Sequence, residues 1–312
     1  MTARQHHYLS QCYLKGFTKG QSKKSKLTVI DMKERKSFES SPRNVGGVRD
    51  FNRIDLEGVD PDQLELELSR FESDAATALK QLKETHDFSG ERREKIIYLM
   101  ALIAVRSPER RESMRQFQAQ IAEVFMSMLH GSKELWDGQM AQMKRYNPEF
   151  VSKVTYEDSK RFFEGKKYTL DVRREFHIKT EMALLGTVVP YLANRKWMLV
   201  TSSDEEGNFI TTDWPVSLSW TKPEEVPEPY RRSPGFGMLS TEVYFPVSQD
   251  LALIGEFEGE EGVVCANKGL VAALNTKMLY NFYKQIYSPN LDFKFLGRNG
   301  EFLGGKKLLD WL

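Results

Sequence analysis

The sequence predicts an α+β fold, in which an N-terminal β hairpin and a central helical section precede a C-terminal antiparallel sheet with a final helix. Three observations carry this prediction. β-Prone runs flank a polar turn near the start, apolar residues recur at helical spacing through the middle, and short β-prone runs return after residue 195. We expect a single interleaved α+β domain over residues 1–312, with sub-regions 1–58, 60–194 and 195–312.

The start of the chain predicts a short helix followed by a small β element. Leu9, Tyr13 and Phe17 recur at helical spacing. Residues 26–32 and 36–40 are β-prone runs on either side of a polar turn, which is typical of a hairpin. The helix is therefore one or two turns long, and the hairpin is the first part of the sheet structure.

The central section predicts a series of helices. Pro61 is a favourable first-turn residue, and apolar residues with a period of 3.6 follow it. A second helical pattern begins at Gly90, is broken or kinked at Pro108, and resumes as a third helix through Met128. The remaining predicted helices are residues 132–146, 156–165 and 172–194.

Short β-prone runs predict the C-terminal sheet. The predicted strands are residues 197–202, 209–218, 243–247 and 251–257. Residues 204–208 are expected to form a hairpin turn between the first two strands, and residues 268–284 the final helix. Residues 221–237 contain four prolines, and we expect them to be either a mobile flap that covers Asp213 or a passive connection.

Composition excludes several classes of protein. No apolar run reaches the roughly 18 residues of a membrane span, and the start lacks the pattern of a signal peptide, so we expect a cytoplasmic protein without membrane contact. Cys12 and Cys265 are expected to be separate reduced thiols. The motifs of P-loop enzymes, dinucleotide dehydrogenases, zincins and common α/β-hydrolases are absent from the sequence.

The charge of the chain is unevenly distributed. The net charge is +1, yet residues 1–53 contain twelve Lys and Arg against four Asp and Glu. A basic segment beside histidines can attract a ligand that carries phosphate. The same segment could equally be the solvated edge of a hairpin, which lysines protect against aggregation.

Adjacent histidines near the start are the first candidates for a site. An imidazole ordinarily titrates near neutral pH, which suits His6 or His7 to the role of a general base or a metal ligand. In an extended segment they point to opposite sides, so only one of them can reach a given ligand. Asp213, between a β-branched run and Pro215, is the expected partner. Alternatively, the histidines pack the start onto the core and Asp213 ends a strand through an Asx turn.

Arg106 is a further candidate, because its spacing places it on or beside the apolar face of a helix. A buried guanidinium needs a partner, which could be Glu72 in a structural ion pair. Alternatively, Arg106 clamps a phosphate or carboxylate in the site. His177 and Glu181 lie one helical turn apart and could share a metal, although most such pairs are surface contacts.

Several short motifs occur together in a characteristic order. They are His6-His7-Tyr8 with Tyr13-Leu14 and Phe17, Asn44-Val45-Gly46 with Asp50-Phe51, Arg106-x-Pro108, Trp197, Thr212-Asp213-x-Pro215-Val216 and Phe245-Pro246-Val247. In this order they resemble a mostly bacterial and phage-borne family known as domain of unknown function number 4238, over nearly the whole chain. Ser10 and Thr212 depart from the usual Pro and Ser of that family. The resemblance implies little about function, because recurrence alone defines the family.

Two functions are therefore predicted from the residues themselves. The first is a hydrolytic enzyme, metal-dependent or a nuclease, that acts on a phosphodiester or nucleic acid, with a role in defence as one setting. In it, His6 or His7 is the base, Asp213 a metal ligand or orienting carboxylate, and Arg106 a stabiliser of developing charge. A divalent metal is the candidate cofactor. The alternative is a module that senses a small anionic ligand without chemistry, and a third reading is a structural interaction protein.

Overall fold

The computed structural model describes residues 4–166, 168–232 and 234–311 and confirms the predicted α+β fold. Helices fill the middle of the chain and recur near its end. In the described part the α-helices are α1 (Gln11–Leu14), α2 (Gln63–Thr85), α3 (Gly90–Val105), α4 (Pro108–Leu129), α5 (Lys133–Tyr146), α6 (Tyr156–Glu164), α7 (Arg174–Ala193), α8 (Lys268–Leu279) and α9 (Leu308–Trp311).

Strands occur on both sides of the helical section. In the described residues they are β1 (Gln5–His7), β2 (Leu27–Asp31), β3 (Lys36–Ser40), β4 (Gly47–Arg49), β5 (Lys196–Thr201), β6 (Thr211–Thr212), β7 (Ser217–Trp220), β8 (Thr241–Ser248), β9 (Leu251–Glu256), β10 (Gly262–Cys265), β11 (Gln285–Ser288), β12 (Lys294–Leu296) and β13 (Phe302–Gly304). The predicted N-terminal hairpin is confirmed as β2 and β3, and the C-terminal sheet with its following helix is also confirmed.

Two larger sheets contain most of these strands, while β1 pairs with β4 and β12 pairs with β13 in two-stranded antiparallel sheets. A five-stranded sheet has the order β10-β5-β9-β8-β7 and is antiparallel except for the parallel pair of β10 with β5. A four-stranded antiparallel sheet has the order β3-β2-β11-β6. Because β11 pairs with both β2 and β6, the second sheet joins the start of the chain to its C-terminal part.

The chain divides into two compact units. The first unit comprises Met1–Pro108 and Ile178–Leu312, and the second comprises Glu109–His177. In the first unit, α2 packs against α3, and the apolar face of α2 buries Ala75, Ala78, Leu79 and Leu82. The expectation of one interleaved domain over the whole chain stays a prediction.

The second unit contains an aromatic cluster of its own. The His130 ring stacks on Trp136 with centroids 5.5 Å apart and lies near the Tyr156 and Phe163 rings. The His130 Nε2 atom is 2.9 Å from the Ser159 hydroxyl oxygen. This cluster gives the small unit a packed centre.

The proline-rich segment 221–237 joins the paired strands β7 and β8. It contains two short 3-10 turns. The Trp220 indole donates to the Arg231 carbonyl at 3.1 Å, and the buried Arg195 guanidinium donates to the Phe236 carbonyl at 2.9 Å. The ends of the segment are thus tied to the sheet, and its predicted role as a cover for Asp213 stays a prediction.

Three details of the C-terminal region differ from the prediction. Residues 204–208 are not a hairpin turn, because β5 and β6 lie in different sheets. The helix predicted over 268–284 ends at Leu279, and the chain then forms β11. The strands β10 and β11 are absent from the predicted strands, because four residues are too few to show an alternating pattern. No helix in the described residues has the length and apolar character to cross a membrane.

Candidate functional site

The two adjacent histidines lie on β1 and point to opposite sides, as their extended backbone requires. His6 is buried, and its Nδ1 atom accepts a hydrogen bond from the Asn52 backbone N–H at 2.9 Å. His7 is 9% exposed and lines a cavity. Its Nε2 atom lies 3.1 Å from the Arg43 carbonyl, and its Nδ1 atom lies 3.4 Å from the Gln11 amide nitrogen. One histidine therefore fixes the backbone, and the other faces open space.

The protonation state of His7 follows from these contacts. The Arg43 carbonyl can only accept, so Nε2 carries the ring proton in that hydrogen bond. Burial lowers the pKa of His7 below its ordinary value of 6.5, against smaller opposing effects of the Arg43 carbonyl and Glu65. The ring is therefore neutral near pH 7, with its free lone pair on Nδ1. The long 3.4 Å contact with Gln11 leaves that lone pair weakly engaged.

The cavity that His7 lines is named the His7 cavity. It has a volume of about 170 Å³, and polar side chains from α1, α2 and the basic loop before β2 line it. They include His7, Gln11, Cys12, Lys23, Glu65 and Glu72. A second cavity of about 330 Å³, the outer cavity, shares His7 and Gln11 and also has Arg43 and Asn44 in its lining. His7 therefore lies where the two cavities meet.

Two carboxyl groups of α2 enter the His7 cavity from one face of the helix. Glu65 and Glu72 are seven residues apart, which is about two helical turns. Burial raises the pKa of Glu72, and the neighbouring Glu65 charge raises it further, whereas Ser10 and Arg106 act in the opposite direction. Glu72 is thus a carboxyl group that holds its proton more strongly than usual.

Arg106 does not line the His7 cavity but is connected to it through Asn52. The side chain is 2% exposed, and its Nη2 atom donates to Asn52 Oδ1 at 2.6 Å. Asn52 Nδ2 in turn donates to Glu65 Oε2 at 2.5 Å. The guanidinium also lies over the Phe51 ring at 5.8 Å, and its Nε atom is 4.0 Å from Glu181 Oε2. Arg106 therefore acts on Glu72 through space and on Glu65 through Asn52.

Cys12 lines the cavity but is a poor nucleophile. Its Sγ atom is 2.9 Å from the Ser10 hydroxyl oxygen. Burial raises the pKa of the Cys12 thiol to about 11. The thiolate, which is the reactive form, is therefore scarce at neutral pH.

Asp213 binds the backbone of a neighbouring turn. Its Oδ1 atom accepts from the Tyr283 N–H at 2.9 Å, and its Oδ2 atom accepts from the N–H groups of Lys284 at 2.8 Å and Gln285 at 2.9 Å. These three bonds fix the residues that lead from α8 into β11. Asp213 is 4% exposed. Its carboxylate therefore has a clear structural task, similar to the predicted alternative of ending a strand.

Tyr8 and Tyr13, rather than the histidines, connect the start of the chain to the Asp213 region. Among the described residues, the interactions of the histidine pair do not include Asp213. Burial raises the pKa of Tyr287 well above its ordinary value, and the nearby Tyr8 and Asp213 raise it further. The Tyr13 hydroxyl lies 2.6 Å from Thr211 Oγ1. The start of the chain thus packs near Asp213 through tyrosines.

The described residues contain no cluster of three or more His, Cys, Asp or Glu that could hold a metal. His177 and Glu181, the pair predicted to be able to share a metal, are both buried. The nearby His177 charge contributes to the lowered pKa of Glu112, whose main cause is the hydrogen bond from Arg115.

Sequence reasoning missed the carboxyls and the lysine of the His7 cavity. The sequence indicates Glu72 only as a partner of Arg106, and it does not single out Glu65 or Lys23. One signal was available, because Glu72 directly follows Phe71 in the apolar stripe of α2. A carboxyl beside an apolar stripe is a candidate for an elevated pKa.

A family model described as "Protein of unknown function (DUF4238)" matches residues 5–291. This match confirms the resemblance that the motifs indicated. Comparisons with curated proteins and with solved structures give no match. The matched description names no reaction, so the chemistry has to be inferred from the residues of the chain.

Proposed function

We propose that this chain, which belongs to the DUF4238 family, is a hydrolase that cleaves phosphodiester bonds by general acid–base catalysis in the His7 cavity. One observation supports this proposal above the others. A base with a lowered pKa, His7, and an acid with a raised pKa, Glu72, line the same cavity. Titratable groups whose environments move their pKa values in opposite directions are typical of acid–base sites.

The proposed reaction assigns one proton transfer to each group. His7 Nδ1 takes the proton of the attacking hydroxyl, from water or from the substrate itself. The attacking oxygen bonds to phosphorus while the bond from phosphorus to the leaving oxygen breaks. Glu72 gives its proton to that leaving oxygen, and Lys23 stabilises the negative charge that develops on the phosphoryl oxygens.

The other predicted site residues act as positioning residues in this proposal. His6 accepts the Asn52 backbone N–H, and Arg106 holds the Asn52 side chain, which donates to Glu65. Together His6 and Arg106 fix the position of Asn52 beside Glu65, which lines the His7 cavity. Asp213 is assigned to the fold, because three backbone donors occupy its carboxylate.

The proposal is tested by the hydrolysis of a fluorescent oligonucleotide and of bis(4-nitrophenyl) phosphate, each with Mg²⁺ and with EDTA. His7→Asn should lower the rate on both substrates by about 10²–10⁴-fold, because the base is lost. Glu72→Gln should lower the rate on the oligonucleotide by about 10²-fold. The same substitution should change the rate on bis(4-nitrophenyl) phosphate much less, because 4-nitrophenolate leaves without being protonated.

Matched controls are available in exposed parts of the first unit. His86 ends α2 with a left-handed backbone at φ 52°, which Asn also tolerates, so His86→Asn should leave both rates unchanged. Glu67→Gln is the control on α2. Wild-type protein that hydrolyses neither substrate, yet gains thermal stability from nucleotides, would replace the proposal with the anionic-ligand sensor.

A further inference from the structure

Three cavities lie in a row along α1 of the first unit. The outer cavity and the His7 cavity share His7 and Gln11. On the other side, the His7 cavity shares Cys12 with a third cavity of about 220 Å³, which we name the lysine cavity. Each neighbouring pair of cavities therefore adjoins at shared residues, and we name the row of three cavities the groove.

Cations occur along this groove on both sides of the acid–base pair. Arg43 lines the outer cavity, and Lys23 lines the His7 cavity. The lysine cavity contains Lys15, Lys80 and Lys83. Lys83 pairs with Asp250 at 2.7 Å, and Lys80 contacts Glu84 at 3.7 Å. Lys15 makes no ion pair within the described residues, so at least one cation of the lysine cavity is available to a ligand.

The walls of the lysine cavity combine charge with apolar surface. Leu79, Val247 and Cys12 line it together with the lysines. Grooves that bind single-stranded nucleic acids combine cations for the phosphates with side chains, usually aromatic, on which the bases stack. In the lysine cavity the corresponding surface is aliphatic. A peptide made only of acidic residues would contact the lysines but would leave the apolar wall without a matching group.

We propose that the groove binds a single-stranded nucleic acid along α1, with several successive phosphates on its cations and one phosphate at His7. This inference rests on the proposed function for the choice of a phosphodiester. His7 is 9% exposed, so a phosphate has to enter the cavity to come within hydrogen-bond reach of Nδ1. A flexible single strand can bend into it, whereas a duplex is stiff over about 50 nm.

Glu65 and Glu72 are compatible with this polyanion. The raised pKa of Glu72 reduces the negative charge in the middle of the groove. Glu65 accepts a hydrogen bond from the Asn52 side-chain amide at 2.5 Å, so one of its oxygens is already held by the protein. Repulsion at the centre is therefore smaller than two free carboxylates would produce.

The inference is tested by fluorescence anisotropy with fluorescein-labelled single-stranded oligouridylates of two and ten nucleotides. The full chain carrying His7→Asn is used, so that cleavage does not disturb the measurement. We expect the decamer to bind at least about tenfold more tightly than the dimer. Adding Lys15→Ala and Lys80→Ala should weaken decamer binding about five- to tenfold and leave dimer binding within twofold, because the single phosphodiester of the dimer is placed at His7 and not on the lysines.

The salt dependence of binding provides a second readout, because the slope would not change if Lys15 and Lys80 only stabilised the fold. For single strands, each lost phosphate contact lowers the magnitude of the slope of log K against log salt by about 0.7, so the double change should lower it by about 1.4. The control is Lys268→Ala with Lys307→Ala, two exposed lysines that do not line the groove. It should change neither affinity nor slope.

The outcomes separate this inference from the proposed function. Equal binding of the two lengths would overturn it, as would equal effects of the groove and control pairs. Competition by a decaglutamate peptide or a duplex as strong as that by the single strand would also overturn it. If the wild type cleaves no phosphodiester but length-dependent, Lys15-dependent binding is observed, the groove stands as a binding site and only the proposed reaction fails.

Discussion

At the scale of single residues, Asp213 shows how one carboxylate can hold a turn together. Its two oxygens accept three backbone N–H groups of residues about seventy positions later in the chain. Without that carboxylate, these donors lose their acceptors in a buried place. Hydrogen bonds to a charged group typically stabilise more than neutral ones.

We therefore expect Asp213→Ala to lower the free energy of unfolding by about 2–4 kcal/mol. Urea denaturation followed by circular dichroism measures this change. Asp292→Ala is the control, because that side chain is 72% exposed and should cost less than about 0.5 kcal/mol. If the Asp213 variant were as stable as the control and yet failed to hydrolyse substrate, Asp213 would belong to the chemistry after all.

The two cysteines should differ in reactivity for reasons that lie in their surroundings. Cys265 is exposed, whereas burial raises the pKa of Cys12 to about 11. At pH 8 only about one Cys12 thiol in a thousand is ionised. Ellman's reagent should therefore label one thiol rapidly in the native protein and two in urea. Rapid labelling of native Cys265→Ser would show that Cys12 is reactive.

At the scale of elements, Gly46 sets the approach of β1 and α1 to the turn before β4. Its backbone carbonyl accepts the N–H groups of Tyr8 and Leu9 at 3.0 and 3.1 Å. Its φ is +65°, and an added Cβ would lie 2.9 Å from the Leu9 Cβ. Only glycine meets both the left-handed backbone and the close contact. The orientation of His7 therefore depends on this residue.

Gly46→Ala should destabilise the protein by more than Gly58→Ala, which serves as its matched control. Gly58 has a similar φ of +78° but open space around it, so its substitution should cost only the backbone strain of about 1–2 kcal/mol. Gly46→Ala adds steric overlap worth about another 1–3 kcal/mol. Thermal or urea unfolding compares the two variants, and equal losses would contradict the role assigned to close packing at Gly46.

The elements also show which parts of the fold a sequence can predict. Local patterns predicted several of the observed elements. They are the apolar stripe of α2, the β-prone run of β8 and the break at Pro108, where α4 begins after the end of α3. Strand β11 is four residues long and begins directly after the helix predicted over residues 268–284, so its sequence is too short to show the alternation of a strand. Short strands depend on their partners, here β2 and β6, which lie far away in the sequence.

At the scale of the whole molecule, the candidate site combines distant parts of the first unit. The opposed directions of His6 and His7 follow from strand geometry and were predictable. The meeting of His7 with Glu72 was not, because it requires α1 and α2 to pack together. The carboxylate of Asp213 accepts hydrogen bonds from backbone N–H groups, and because nearly every residue type has such a group, the sequence does not indicate them. Sequence alone therefore singled out the histidines and predicted Asp213 as their partner, but it did not single out Glu65, which lines the cavity with His7.

The proposed chemistry also predicts how activity depends on pH. The base must be neutral, so activity falls at acid pH as His7 gains a proton, with an apparent pKa below 6.5. The acid must be protonated, so activity falls at higher pH as Glu72 ionises, with an apparent pKa above 4.5. The dependence is therefore bell-shaped, with an acid limb from the protonation of His7 and an alkaline limb from the ionisation of Glu72.

The measurement that tests the central claim most directly is the pH dependence of kcat/KM for oligonucleotide hydrolysis by the wild type and by Glu72→Gln. We predict a bell-shaped profile for the wild type, and for the variant a lower rate from which the alkaline limb has disappeared. A variant that keeps both limbs, or a wild-type profile that is flat from pH 4 to 9, would contradict the assignment of His7 and Glu72 as base and acid.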